Sequence, residues 1–401
     1  MTTVSQLRNE RKAKRLFLVA LVIYIVATFM MQTRFREEIP HFQLAGQLVV
    51  CFSGGLLFIK QFMEYRFAYQ HYMMFILSLM LGGTIAILTT NILLPVTLCL
   101  FVYSSRNVDF GKIIEISFFT LLSCMLLIQV LYAGGLLRGG DDIRPDGAIR
   151  YALGYRFVTF AANYYFHLVV MLLFTKKNEL SLWVLVLLML GNIYFFAMTD
   201  TKSAFAFTCL AILWGMVAKF VPNNNVKMRT LLNRYVVSFG VVLSLVSVLV
   251  YSLGIPGMDK FNRLLTDRLS LAEQAIEVFG FSLLGQPVEW IFYGDGPKLV
   301  QGNIITSYLY VDSSFVNMAI NYGILPLLLI LFGYYCVAHK KFIATDRYFT
   351  IALTLIALHS VFDPQFLEIQ YNPFLLALGA LFYQRTRWCD FLIIRKKFVR
   401  S

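Results

Sequence analysis

The sequence predicts an all-α polytopic membrane protein of about twelve spanning helices, and three observations carry that prediction. Its 401 residues are 59% hydrophobic, with a mean hydropathy of +0.69. Only 14% are charged, against about 25% in a soluble domain. The apolar residues also gather into runs close to the roughly 20 residues that a bilayer demands, with basic residues clustered between the runs.

The runs fall at 16–33, 42–59, 71–88, 91–105, 113–133, 155–174, 180–198, 203–221, 235–253, 311–337, 348–362 and 372–384. The first follows Arg8, Arg11, Lys12, Lys14 and Arg15, as the core of a signal peptide would. Gln32-Thr33-Arg34-Phe35-Arg36 offers no small-residue cleavage site, so an uncleaved first span is expected. Only Thr89 and Thr90 separate the third run from the fourth, which is short and contains Pro95, so this pair reads as two spans or one re-entrant hairpin.

A net charge of +13 raises the question of nucleic acid. The basic residues, however, sit in short clusters between apolar runs, the pattern of the positive-inside rule. With the N-terminus in the cytoplasm and strict alternation, 24 of the 35 Lys and Arg residues fall inside and 11 outside. Both termini are therefore expected in the cytoplasm. Residues 1–401 read as one integral-membrane domain with external loops at 133–155 and 254–310 and a basic cytoplasmic tail at 385–401. The six cysteines lie in apolar runs or, for Cys389, in that tail, and form no disulfide framework or metal pattern.

Charge within the spans is scarce in the sequence. Glu115 and Arg156 lie near span ends, and His167 is the clearest polar residue at depth. Ion-coupled transporters keep ionisable groups near the midplane, so this scarcity weighs against transport. No phosphate-binding glycine loop, dinucleotide fingerprint or HExxH is present. Nor is there an Asp-x-Asp pair to hold a metal against a nucleotide sugar, since Asp141 and Asp142 are adjacent. No cofactor and no metal are expected, and any sugar donor must arrive already activated on a lipid.

The external arginines are the sharpest feature. Arg138, Arg144, Arg150 and Arg156 stand against the positive-inside trend, and guanidinium presents a planar fork of donors to phosphate oxygens. The competing reading pairs them with Asp141, Asp142 and Asp146 or with lipid headgroups. In the long loop, residues 261–280 have helical periodicity. Phe261, Leu264, Leu265, Leu269, Ala272, Ala275, Ile276 and Phe279 form one apolar stripe. Arg263, Ser270, Gln274 and Glu277 lie opposite. Arg268 projects from the centre of the stripe, which points it towards a binding cavity if the stripe packs on the bundle. An amphipathic helix lying on the lipid surface is the alternative. Asp200, in the turn Asp200-Thr201-Lys202-Ser203, and Asp312, in Asp312-Ser313-Ser314, both suit helix N-caps. Asp312 also follows Tyr308 and Tyr310, aromatics suited to an interface or to stacking on sugars.

Taken in order, these segments resemble the Wzy-type bacterial polymerases of O-antigen, capsular and exopolysaccharide repeat units, over most of the chain. RYALGYRF (150–157) is similar to the family's Arg-x-x-Leu-Gly-Phe entry into a span, and TDTKSAF (199–205) to its Thr-x-Ser-Arg-Thr turn. DRLSLAEQAIEVFGFSLLG (267–285) with WIFYGDG (290–296) resembles the long-loop Arg…Phe-Gly-x-Gly stretch. VDSSFVNMAINYGILP (311–326) resembles the Asp-Asn-x-Tyr…Asn-Tyr-Gly-Ile segment. The chain departs at Arg156-Phe157-Val158-Thr159, where His-Pro-Asn often stands, and at Lys202, where Arg is usual. The Arg-x10-Gly motif of some members is also missing, since Arg144 to Gly154 is one residue short. Related O-antigen ligases usually carry a long-loop His. None of His41, His71, His167, His339 and His359 falls within 254–310, which favours polymerase.

The resemblance implies glycosyl transfer between two polyprenyl-pyrophosphate-linked oligosaccharides at the outer face of the bacterial cytoplasmic membrane, without a metal. It implies Arg150 and Arg268 as catalytic cations and Asp312 as general base. Arg138, Arg144, Arg156, Lys202, Tyr308 and Tyr310 would bind substrate. The implied partners are the lipid-linked donor and acceptor, the bilayer, and a chain-length regulator and flippase of the same pathway, with no nucleic acid. The alternatives are a lipid-linked oligosaccharide flippase or other secondary transporter, an O-antigen ligase-type transferase, and a non-catalytic assembly protein.

Overall fold

The computed structural model describes residues 4–64, 69–89, 91–137, 139–143, 147, 149–221, 225–292, 298–300, 303–305 and 308–382. Arg138, Arg144, Asp146, Asp295 and the tail 385–401 lie outside the described residues. Helix dominates, as it must where lipid offers backbone groups no hydrogen-bond partner. The main helices are α1 (Val4–Met30), α2 (Phe42–Met63), α3 (Tyr69–Thr89), α4 (Leu93–Ser104), α5 (Phe110–Ala133), α6 (Val158–Lys176), α7 (Leu182–Thr199), α8 (Lys202–Phe220) and α9 (Val226–Ser252). They are followed by α10 (Met258–Leu264), α11 (Arg268–Phe279), α12 (Ser314–Asn321), α13 (Ile324–Val337) and α14 (Arg347–His359). Two-stranded antiparallel ribbons join Asp142–Ile143 to Ile149–Arg150 and Lys298–Val300 to Asn303–Ile305.

Among the described residues, eight helices are long and apolar enough to cross a membrane: α1, α2, α3, α5, α6, α7, α8 and α9. The chain is a multi-pass helical membrane protein. The other four apolar runs form shorter pieces. Run 91–105 contains α4, 348–362 contains most of α14, and 372–384 holds a 3-10 helix at Pro373–Phe382. Run 311–337 is not one helix but two. It breaks at Gly323, whose φ of 97° suits glycine alone, and an added Cβ there would lie 2.5 Å from the Gly285 nitrogen. The long loop fills the break: Ile324 donates to the Ser282 carbonyl at 2.9 Å and Leu325 to Leu283 at 3.0 Å. The backbone groups freed by the interruption are thereby satisfied within protein.

The central helices are α6 and α14, buried along nearly their whole length. Around them the bundle has two dissimilar ends. At one, helices begin on capping side chains. Asp109 accepts from the Lys112 amide, Ser181 from Val184, Asn225 from Met228, and Asp346 from both Tyr348 and Phe349. At the other, which carries the loops 134–157 and 253–313, α2, α4, α6, α8 and α12 begin without a capping bond from the N-cap side chain. We call these the capped end and the loop end.

Several expectations need correction. Asp200 does not cap α8. It closes α7 in a left-handed conformation (φ 45°), and Thr201 takes the N-cap position. Asp312 does not cap α12 either; Ser313 holds that position, while Asp312 bonds across the fold. The single amphipathic helix at 261–280 is divided by left-handed Thr266 and Asp267 into α10 and α11. Leu269, Ala272, Ala275 and Phe279 are buried as the stripe requires, but Phe261 and Leu264 are exposed. Finally, charge does enter the bundle. Lys60 is 0% exposed near the capped end and joins Glu64 and Arg106. His167 is not isolated, since its ring lies 5.6 Å from that of His359.

Candidate functional site

The loop end gathers its polar groups in two places joined by aromatic rings. The first forms where the chain leaves α1. Arg34 donates its backbone N–H to the Gly154 carbonyl at 3.0 Å, and Arg156 donates to Gln32 at 3.0 Å. This pairing lays RYALGYRF beside the end of α1. Glu37 bonds the Arg34 guanidinium and, at 3.4 Å, Arg156. Arg36 belongs to the same group: burial and then the charge of Arg156 push its guanidinium down from its ordinary value. Three arginines thus surround one carboxylate.

From this group a row of rings leads across the loops. Arg156 lies over Phe157 at 5.0 Å. Phe157 stacks on Phe292 at 6.1 Å, Phe292 meets Tyr310 at 5.5 Å, and Tyr310 meets Trp290 at 5.4 Å. Alternation explains the row. Ile291 and Leu309 pair as an isolated bridge and are buried, so in extended backbone their neighbours on both sides turn the other way.

The row ends at the second group. Arg268 opens α11, whose first turn is capped from a distance by the buried Asn262, accepting from Leu269 at 2.9 Å and Ser270 at 3.3 Å. That cap fixes where Arg268 starts. Its Nε lies 3.1 Å from Asp312 Oδ2 and its Nη1 3.8 Å from Asp363 Oδ2, and Nη1 also donates to the Phe362 carbonyl. Burial opposes its charge, but the two carboxylates outweigh burial and raise its pKa. Asp312, in the extended segment before α12, is pushed up to about 6, chiefly by burial, with Arg268 opposing. Asp363 is raised by burial against the same arginine. It also accepts from Asn163 at 3.2 Å and lies 3.2 Å from His359 Nε2.

Asp363 belongs to a non-helical segment, 360–372, between α14 and the 3-10 helix. Ser314 ties it down, donating to the Asp363 carbonyl and accepting from the Phe366 amide at 3.1 Å. The same segment carries Glu368, which accepts from Gln32 at 2.7 Å and from Gln370. Burial pushes the Glu368 carboxyl up to about 7, with the two amides opposing.

The nine site residues named from sequence therefore separate. Arg268, Asp312, Tyr308 and Tyr310 come together, since Arg268 feels the Asp312, Asp363 and Tyr308 groups and Tyr310 feels Asp312 and Tyr308. Arg156 lies in the arginine group. Arg150 sits at the end of α7, donating from Nε to the Thr199 carbonyl at 2.8 Å, with Asp142 at 3.5 Å. Lys202 is exposed at the start of α8, and Arg138 and Arg144 lie outside the described residues. The described arginines form no single pocket: Arg268 is matched by carboxylates, and the cationic excess is at Arg34, Arg36 and Arg156. The site residues assigned from sequence left out Arg34, Arg36, Trp290, Phe292, Asp363 and Glu368. The signal for the last two was available. Asp363-Pro364-Gln365-Phe366-Leu367-Glu368-Ile369-Gln370-Tyr371-Asn372-Pro373 puts two carboxylates, three amides and two prolines between two short apolar runs. Among the described residues, no three His, Cys, Asp or Glu side chains are placed to hold a metal ion together.

Against family models, characterised proteins and solved structures, the chain shows no match.

Proposed function

We propose that this protein is a polysaccharide polymerase, moving a growing glycan from a polyprenyl-pyrophosphate carrier onto a lipid-linked repeat unit at the outer face of a bacterial cytoplasmic membrane. One observation carries the reading. At a single end of a helical membrane bundle, a row of aromatic rings joins an arginine group to an arginine–carboxylate group.

That layout suits a substrate with an anion at one end and a reacting sugar hydroxyl at the other. The acceptor's pyrophosphate meets Arg34, Arg36 and Arg156. Its sugars lie along Phe157, Phe292, Tyr310 and Trp290. Its terminal hydroxyl reaches the carboxylates, where Arg268 faces the donor's pyrophosphate and stabilises charge developing on the leaving group. Uncapped helix N-termini at the same end add positive potential. In this reading the membrane carries twelve crossings with both termini in the cytoplasm.

The test is purified protein incubated with lipid-linked oligosaccharide extracted from cells lacking it, with products resolved on a gel. A ladder of repeat units is expected. A cysteine replacing exposed Leu283, in a background without the six native cysteines, should react with an impermeant maleimide from outside intact cells. Labelling only after permeabilisation would invert the topology and sink the reading. One observation favours transport as a second reading: a broken helix and a non-helical segment bearing carboxylates are also how transporters build midplane sites. A transporter moves the labelled lipid across a liposome bilayer and makes no ladder.

A further inference from the structure

We propose that Glu368 is the proton acceptor for the incoming sugar hydroxyl, an inference that rests on the polymerase reading and assigns to Glu368 a step that the family resemblance implies for Asp312. Three carboxylates lie on the loop-end segments, and their partners separate them. Asp363 is 3% exposed and shared among Asn163, His359 and Arg268. Asp312 has one oxygen 3.1 Å from the Arg268 guanidinium. That guanidinium occupies the oxygen and opposes its taking up a proton, although burial still raises the Asp312 carboxyl to about 6. Its charge is better understood as fixing the direction of Arg268.

Glu368 is placed differently. Both amide donors, Gln32 Nε2 at 2.7 Å and Gln370 Nε2, go to the same oxygen, Oε2. Among the described residues Oε1 has no hydrogen-bond donor, and the side chain keeps partial exposure. One oxygen is thus anchored and the other left open. The anchor is itself fixed, because Gln32 Oε1 accepts from Tyr164 at 2.7 Å and from Tyr371 at 2.6 Å. Those two hydroxyls orient the Gln32 amide so that its NH2 must face the carboxylate. Tyr164 and Tyr371 stack at 4.0 Å, which stiffens the support.

The titratable groups that feel Glu368 are phenols: Tyr24 from α1, Tyr164 from α6, Tyr322 after α12, and Tyr310 and Tyr371 from the adjoining segments. No Arg or Lys contributes to its own shift, whose causes are burial and the two amides. Glu368 is bonded to Gln32, whose carbonyl accepts from Arg156 of the arginine group, and it shares the segment 360–372 with Asp363 of the Arg268 group, while the Tyr310 phenol feels both Glu368 and Asp312. A carboxyl titrating near neutrality combines availability with proton affinity in the way a general base requires.

The step balances. The acceptor hydroxyl oxygen forms a bond to the donor's anomeric carbon as the bond from that carbon to the pyrophosphate oxygen breaks. The hydroxyl proton passes to Glu368 Oε1. The electron pair of the broken bond leaves with the polyprenyl pyrophosphate, facing Arg268.

The experiment compares wild type, Glu368→Gln and Glu368→Asp as full-length protein in nanodiscs, with the lipid extract from cells lacking the protein as substrate. Glu368→Gln should lower the rate of ladder formation by about 100-fold or more, and Glu368→Asp should retain part of it. The wild-type rate should fall on the acid side of neutrality, and the residual activity of Glu368→Gln should lack that limb. A wild-type ladder with an undiminished Glu368→Gln ladder overturns the proton acceptor and leaves the polymerase reading standing. No ladder from wild type overturns both. A substrate-free measurement guards against a variant that merely misfolds. Because folding raises the Glu368 pKa from its ordinary value of 4.5 to about 7, its stabilisation is complete below about 4.5 and is lost as pH rises through about 7. Wild type should therefore lose thermal stability relative to Glu368→Gln between those values. A constant difference would remove the environment on which the proposal depends.

Discussion

Two clusters of cations and carboxylates, one at each end of the bundle, reach opposite states. Near the capped end, Lys60 and Arg106 share Glu64. Lys60 also donates to the Ser104 carbonyl at 2.8 Å, and Arg106 to Gln61 at 2.8 Å. Gln61 in turn donates to Ser104 Oγ at 2.7 Å and to the Leu57 carbonyl at 3.0 Å. The cluster is nearly closed to solvent, with the Lys60, Arg106 and Glu64 side chains 0%, 5% and 9% exposed. At the loop end, Arg268 faces Asp312 and Asp363, and its side chain is 19% exposed while that of Asp312 is 25% exposed. Carboxylates outnumber cations there, and Glu368 keeps an open oxygen. A closed ion cluster can hold helices α2 and α4 together but has no group to offer a ligand. The loop-end cluster has groups to offer, at the cost of carboxylates held in an environment that does not favour their charge.

The largest effect expected from this contrast is at the closed cluster, on stability. Glu64→Ala leaves Lys60 and Arg106 buried without their counter-charge, and breaking such a pair costs about 3–5 kcal/mol. The variant should give a much smaller monodisperse fraction after extraction and a lower unfolding temperature. If Glu64→Ala extracts and unfolds like wild type, water reaches Lys60 and the closed description fails.

The next effect is on turnover. Arg268→Ala should remove a charge-assisted contact to the leaving pyrophosphate, costing about 2–4 kcal/mol, or roughly 30- to 1000-fold in ladder formation. Extraction should be close to normal, since Asp312 and Asp363 can relieve the lost partner by taking up protons. Arg268→Lys should recover little, because an ammonium lacks the planar fork that spans Asp312, Asp363 and the Phe362 carbonyl. A collapse in extraction as large as that of Glu64→Ala, with normal specific activity in what survives, would make the two clusters alike.

The contrast also shows what was legible in the sequence. Apolar runs located the membrane helices, because the bilayer imposes length and composition on every span. Arg268 was singled out as a cation in the middle of an apolar stripe, though the stripe breaks at Thr266 and Asp267 and leaves Arg268 opening α11. The caps assigned to Asp200 and Asp312 were not reliable, since capping propensity is a local preference. At Asp312 the long-range pairing with Arg268 takes the side chain, and at Asp200 the chain needs a left-handed residue to close α7. The Gly323 break was hidden because an apolar run reads the same whether one helix or two occupy it. The arginine group at Arg34, Arg36 and Arg156 depends on a bridge between Thr33 and Tyr155, 122 positions apart, which no local pattern announces.

The smallest expected effect tests the comparison most directly. Arg263 lies in the same loop as Arg268, five residues earlier, with the same charge. It differs in placement. Arg263 is exposed on α10, ahead of the left-handed pair Thr266 and Asp267 that turns the chain into α11, whereas Arg268 is drawn between two carboxylates. A solvated surface cation contributes little to stability, within about ±0.5 kcal/mol. Arg263→Ala should therefore extract, unfold and form a ladder much as wild type does, with at most a shift in the salt dependence of substrate binding. If the loop acts through its summed positive charge, Arg263→Ala and Arg268→Ala will depress the ladder by similar factors, and high salt will erase the difference from wild type in both. If a single placed guanidinium carries the effect, only Arg268→Ala will lose the ladder, and salt will not restore it.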